Sequence, residues 1–219
     1  MSKRSSVLGA FAGLAAAGAA LVSGYMLVVR PWHRRWGATD EEIERPLPGD
    51  DMVDGANFET TRALNIEAPP EQVWPWLVQI GQGRAGFYSY DVLENAMGLD
   101  IHSSGQILPE YQDLAVGDEI AVAPEGGGFT VAAIEPQHYL LLDARGAGDS
   151  EVDAAFREAD MASTWLFLLE ARDSDRTRLI VRWRARWDLT KSPASFLIGM
   201  MLDPIEFVME QKMMRGIKE

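Results

Sequence analysis

Residues 7–29 carry no charged side chain, and this run splits the chain into two parts that must satisfy different solvents. As a helix, the run reaches about 35 Å, more than a ~30 Å hydrocarbon layer. Lys3 and Arg4 precede it. Arg30, Arg34 and Arg35 follow, with Trp32, His33 and Trp36 among them. Tryptophan and arginine beside an apolar run are interfacial anchors. The pattern predicts one transmembrane helix within an N-terminal unit, residues 1–36. The other reading is a cleaved secretory signal, since Ala17, Ala19 and Ala20 suit a peptidase. Signal cores run ~7–15 apolar residues, however, and this one continues through Leu27-Val28-Val29. The expected location is therefore the cell membrane, single-pass. Both flanks are basic, so the side holding the remaining chain is undetermined.

The 219 residues carry a formal net charge of -13, which argues against nucleic acid as a partner, because phosphate contacts need a basic surface. There is no cysteine, so disulfides and thiolate metal sites are excluded. His33, His102 and His138 are far apart and sit in no metal-binding pattern. No P-loop, dinucleotide fingerprint or nucleophile elbow occurs. Neither a metal nor a cofactor is expected.

Residues 37–56 read as an extended linker, with Asp40, Glu41, Glu42, Pro46, Pro48 and Gly49. Thr39 is placed to cap a short helical turn there. Residues 57–219 then read as one α+β domain. Phe58, Thr60, Leu64 and Ile66 alternate as a strand, with Arg62 on the same apolar face. Pro69-Pro70-Glu71 opens a helix carrying Val73, Trp74, Leu77 and Ile80. A second short helix is predicted over 91–97. Strands follow over 119–122, 129–134 and 139–143, then an acidic loop over 146–160. A hairpin comes next, 164–169 with 178–187. In its second strand Leu179, Val181, Trp183, Ala185 and Trp187 share a face, and Arg178, Arg182, Arg184 and Arg186 share the other. That arginine face reads as a solvated outer surface paired with acids such as Glu170. A helix over 195–218 closes the chain, apolar nearly all round in its first half, with Pro204 expected to kink it.

This order suits a curved antiparallel sheet whose concave face is covered by the terminal helix. The run Ala68-Pro69-Pro70-Glu71-Gln72-Val73-Trp74-Pro75-Trp76-Leu77 resembles the helix-opening motif of the START-like superfamily, also called SRPBCC or polyketide-cyclase-like. Residues 86–91 (Gly-Phe-Tyr-Ser-Tyr-Asp), Leu93-Glu94-Asn95 and Asp100-Ile101-His102-Ser103 are similar to one bacterial, membrane-anchored subgroup of it. So are Trp36-Gly37-Ala38-Thr39-Asp40 and Pro46-Leu47-Pro48-Gly49-Asp50. The resemblance implies a helix-grip fold with a cavity between sheet and terminal helix. It also implies an apolar or amphipathic ligand of lipid, isoprenoid or polyketide type. It transfers no catalytic residue.

Cavity ligands are held by apolar walls with a few placed polar groups. Met200, Met201 and Phe207 are candidates for one wall, and Trp165 and Trp183 for the other; each is equally readable as core. Tyr88, Tyr90, Glu94 and His102 gather in a glycine-rich stretch. They form either a site or a hydrogen-bonded knot tying the loop to the sheet. Three functions remain open at this point. The first is a membrane-tethered binding protein for an apolar or amphipathic small molecule. The second is a cyclase- or dehydratase-type enzyme using Glu94 and His102 for proton transfer. The third is an interaction module with no small-molecule ligand. The sequence leaves oligomeric state undetermined.

Overall fold

The computed structural model describes residues 20, 22–145, 148–158, 160–187 and 193–218, the side chains of 155, 193–202 and 218 excepted. Six strands, β1 (Phe58–Ile66), β2 (Glu119–Ala121), β3 (Gly128–Glu135), β4 (Tyr139–Ala144), β5 (Ala162–Asp173) and β6 (Arg176–Arg186), form one sheet. Its order is β1-β6-β5-β4-β3-β2, antiparallel at every pairing. The strands after β1 form a meander that brings β6 back beside β1.

The helices are α1 (Arg30–Arg34), α2 (Asp40–Glu44), α3 (Pro70–Val78), α4 (Asp91–Ala96), α5 (Glu151–Glu158) and α6 (Pro193–Lys218). A π-helical turn, Tyr25–Val29, leads directly into α1. The helix α6 runs through Pro204 as one assigned helix. The predicted acidic loop contains α5 instead. Ser150 starts that helix by accepting from the Asp153 amide at 3.1 Å, and Phe156 packs on the core. No strand forms near residue 107; Pro109–Tyr111 is a 3₁₀ turn.

Strand periodicity sorts the side chains onto two faces. One face carries Val131, Leu140, Leu142, Phe167, Leu169, Leu179 and Val181. The helix layer covers it with Val73 and Leu77 of α3 and with Met213, Met214 and Ile217 of α6. The other face carries Ala63, Leu141, Leu166, Leu168 and Ile180, and Leu47, Ala38 and Met52 pack against it.

Residues 37–56 form a strap across the outer side of the sheet. Thr39 and Glu42 make a reciprocal capping box that starts α2. Arg178 then grips both Glu42 carboxylate oxygens at 2.8 and 2.7 Å. Arg182 donates to Asp50 at 2.6 Å and to the carbonyls of Glu42, Ile43 and Arg45. Glu170 pairs with Arg45 of the strap. Thus Arg178 and Arg182 are buried rather than solvated. Periodicity states which face a residue occupies, not what comes to lie on it.

The strap also closes the outer edge of β1, where the Ala63 amide donates to the Trp36 carbonyl at 3.1 Å. Gly37 is obligatory beside this contact. Its φ is +73°, and a Cβ would sit 2.1 Å from the Ala63 oxygen. Among the described residues no helix is long and apolar enough to cross a membrane. Most of the predicted anchor, residues 7–19 and 21, lies outside them.

Candidate functional site

Alternation along β1 places Arg62 on the helix-covered face, midway between Thr60 and Leu64. The side chain is 0% exposed. Its Nε donates to the His33 carbonyl at 2.7 Å. Its Nη atoms reach Glu206 at 2.5 and 2.8 Å and Glu210 at 2.5 Å. The two glutamates lie one turn apart on α6, so both face the same arginine. Trp165 of β5 donates its indole N–H to Glu210 at 3.0 Å. Sheet and terminal helix are therefore joined through a buried cation, two carboxylates and an indole.

One guanidinium does not neutralise two carboxylates. Burial and the adjacent Glu210 push Glu206 up to about 7, outweighing the opposing pull of Arg62. Burial opposes the charge on Arg62, but Glu210 and Glu206 more than compensate and raise its pKa above the ordinary arginine value. Glu206 is therefore held in its neutral form more readily than an ordinary carboxylate. Thr60, on the same face, is buried, and its hydroxyl has no hydrogen-bond partner among the described residues.

A collar from the lead-in surrounds this cluster. Asp203 of α6 accepts from Arg30 and from Arg34. His33 stacks on Phe207 with ring centroids 5.2 Å apart, and Tyr25 hydrogen-bonds its ring at 3.1 Å. Burial pushes His33 down to about 4, against the pull of Asp203. Trp32 and Trp36 complete the contacts of Phe207. Phe207 thus packs into the collar, not into an open wall.

Of the other sequence-predicted site residues, Trp165 lies within 6.5 Å of Phe87, Phe129, Phe167 and Trp183. Trp183 packs edge-on against Phe58 and donates to Ser163. Both tryptophans are half-buried on the helix-covered face. Met200 and Met201 lie in α6, but their side chains are outside the described residues. Tyr88 is buried. Its hydroxyl accepts from Gln79 at 2.7 Å and donates to the Trp76 carbonyl at 3.1 Å, and burial pushes it up to about 12. Tyr90 is exposed.

The proposed acid–base pair is not brought together in an enclosed space. The His102 ring is 78% exposed and contacts Asp100, whereas Glu94 is 3% exposed. Burial, then Asp91, pushes Glu94 up to about 7. Asp91 binds the backbone and side chain of Ser103, and Asn95 binds both backbone groups of Ile101. This polar set ties the loop over residues 101–103 to α4. Asp100, which the His102 ring contacts, has a positive φ of 47°.

A cavity of about 150 Å³ opens at the β2–β3 end, lined by Glu119, Gly128, Phe129, Asp143, Arg145 and Asp153. It is polar and lies among residues the sequence reading does not single out. Arg62, Glu206, Glu210, His33 and Asp203 were likewise absent from the sequence candidates. The one available signal was an arginine on an otherwise apolar strand face.

No family model and no curated protein matches the chain. Solved structures align with most of its length. Protein MLL2253 from Mesorhizobium loti is 22% identical, covering 72% of this chain and 98% of that one, with a TM-score of 0.35. A protein from Arthrobacter aurescens is 15% identical over 73% and 83%, with a TM-score of 0.41. The Aha1 dimer from Colwellia psychrerythraea is 17% identical over 71% and 93%, with a TM-score of 0.36. At these scores the likenesses bear on neither the ligand nor the activity of this chain. The chain is an α+β protein whose six-stranded antiparallel sheet is roofed by its C-terminal helix.

Proposed function

We propose that the chain is a membrane-tethered, helix-grip binding protein. It holds an apolar or amphipathic small molecule between the sheet and α6, with Arg62 and Thr60 as the polar contacts. The observation that carries this reading is Arg62, fully buried on a largely apolar sheet face, whose hydrogen-bond acceptors among the described residues belong to α6 and the collar.

A roof needed for stability alone is served as well by apolar side chains. Replacing a buried ion cluster with packed hydrophobes is often neutral or stabilising by ~1–4 kcal/mol. A charged cluster instead leaves a polar handle on the sheet when the roof shifts. An anionic head group takes the place of Glu206 at Arg62, and its chain lies along the apolar face. Glu206, whose ionisation burial and Glu210 oppose, is the partner most readily exchanged. The sequence resemblance to START-like proteins supports the same use of this space.

The test is native mass spectrometry of the full chain in detergent, followed by titration with long-chain acids, the matching alcohols and isoprenoids. The expected result is binding of the chain class, with acids preferred and the preference lost in Arg62→Leu. Absence of binding across the whole panel sinks the proposal. Binding with no difference between acid and alcohol removes Arg62 from it.

A further inference from the structure

The lead-in helix and α6 are locked together, and their alignment has a direction. Arg30 and Arg34 both hold Asp203. Three residues on from Arg30, His33 stacks on Phe207. Trp36 meets Phe207 and, farther along, the guanidinium of Arg215. As one helix advances, so does its partner, and the two run the same way. Residues of α6 before Asp203 therefore lie alongside residues before Arg30, on the side of the charge-free run.

Both stretches are apolar. Leu27, Val28 and Val29 are exposed, Leu27 by 77%, and so is Trp32. In α6, residues 193–202 contain no charged side chain, and their backbone is helical. Just beyond, Ile205 and Val208 are exposed on the side away from the sheet. Lys212 follows on the same line of the helix. The exposed apolar side chains Leu27, Val28, Val29, Trp32, Ile205 and Val208, bordered by Arg30, Arg34, Arg35, Lys212 and Arg215, have the make-up of an interfacial surface.

We infer that the leading half of α6 rests in the membrane interface beside the anchor, so that the roof of the ligand space is itself in contact with lipid. The occupant of this strip is the bilayer, because Asp203 fixes the strip to the helix that continues from the charge-free run. About 15 Å of α6 lies on that side of Asp203. This inference rests on the tethered-binding reading and adds the path by which a lipid-soluble molecule reaches it. The domain does not hang from a flexible leash, and the roof borders the phase in which such a molecule dissolves.

The chain has no cysteine, so single-cysteine variants of the full-length protein need no background removal. Val28→Cys, Ile205→Cys, Val208→Cys and Val116→Cys are each labelled with an environment-sensitive dye and reconstituted into phosphatidylcholine–phosphatidylglycerol vesicles. Spin-labelled lipids serve as quenchers. The expected result is a blue shift and loss of most of the fluorescence at positions 28, 205 and 208, with position 116 unchanged. Quenching at 28 with none at 205 and 208 overturns the inference and leaves the tether intact. No quenching at any position overturns both. Equal quenching at all four, the loop position 116 included, also overturns it, since the contact is then not confined to this face.

Discussion

Replacing Arg62 with leucine removes the fully buried cation that β1 presents to α6. The side chain donates four hydrogen bonds, three of them to carboxylates, and all four acceptor contacts are lost together. Breaking a buried ion cluster by removing one partner costs about 3–5 kcal/mol, because the charge left behind stays buried. With a urea m-value of ~2 kcal/mol/M, the unfolding midpoint of the chain in detergent falls by roughly 1.5–2.5 M at pH 8. The sign with pH is set by the carboxylates. Glu206 already lies above the usual carboxylate range, and without Arg62 it rises further. The folded variant then holds a proton that the unfolded chain releases, so its stability increases as pH falls through that window. The deficit should shrink by about 1.4 kcal/mol per pH unit while the proton is taken up. It should largely vanish in the triple variant Arg62→Leu, Glu206→Gln, Glu210→Gln. A loss below about 1 kcal/mol at pH 8, or an equal loss at pH 5 and pH 8, refutes the account of the cluster as a partly neutralised charge set.

Glu94→Gln should stabilise the chain by about 1–3 kcal/mol at pH 8 and have little effect at pH 4. Glu94 is raised to about 7, so stability falls as pH climbs from the usual carboxylate range through 7. Urea midpoints at the two pH values check this. His33→Phe keeps the ring against Phe207 but removes a group held down at about 4. The folded chain refuses a proton that the unfolded chain accepts, so wild-type stability drops as pH falls from the ordinary histidine range towards 4. Thermal melts of the phenylalanine variant should lose that part of the slope. Arg182→Met should open the strap to protease between residues 38 and 53 before any strand is cut, because four of its contacts hold that segment. Thr39→Ala should cost ~1 kcal/mol by removing the cap of α2, read as a shifted urea midpoint.

The strands and principal helices were legible because their periods were clean. The alternation of Leu179, Val181 and Trp183 against Arg178 and Arg182 assigns β6 its two faces correctly. What covers each face was not legible, since that depends on residues far off in the chain. Arg178 pairs with Glu42 across 136 positions, and no local pattern announces it. Arg62 appeared as a blemish in a strand pattern. Its meaning emerges only when Glu206 and Glu210 arrive from α6. Glu94 and His102, near each other in sequence, differ in surroundings, because Glu94 is buried on α4 while the His102 ring is exposed on the following loop. Acidic composition hid α5, whose core contact reduces to Phe156.

The bond between Trp36 and Ala63, with Gly37 pressed against the same strand, has a consequence for the molecule among its own copies. An open sheet has two borders, and an unpaired border strand is a template on which another polypeptide can add. Here the first border is already occupied by the chain's own passing backbone. The second belongs to β2, three residues long, too short to offer much of a ladder. At high local concentration, the described residues offer neighbours little free strand edge along which to zip together. A side chain at position 37 would push the covering backbone away and unblock the longer border.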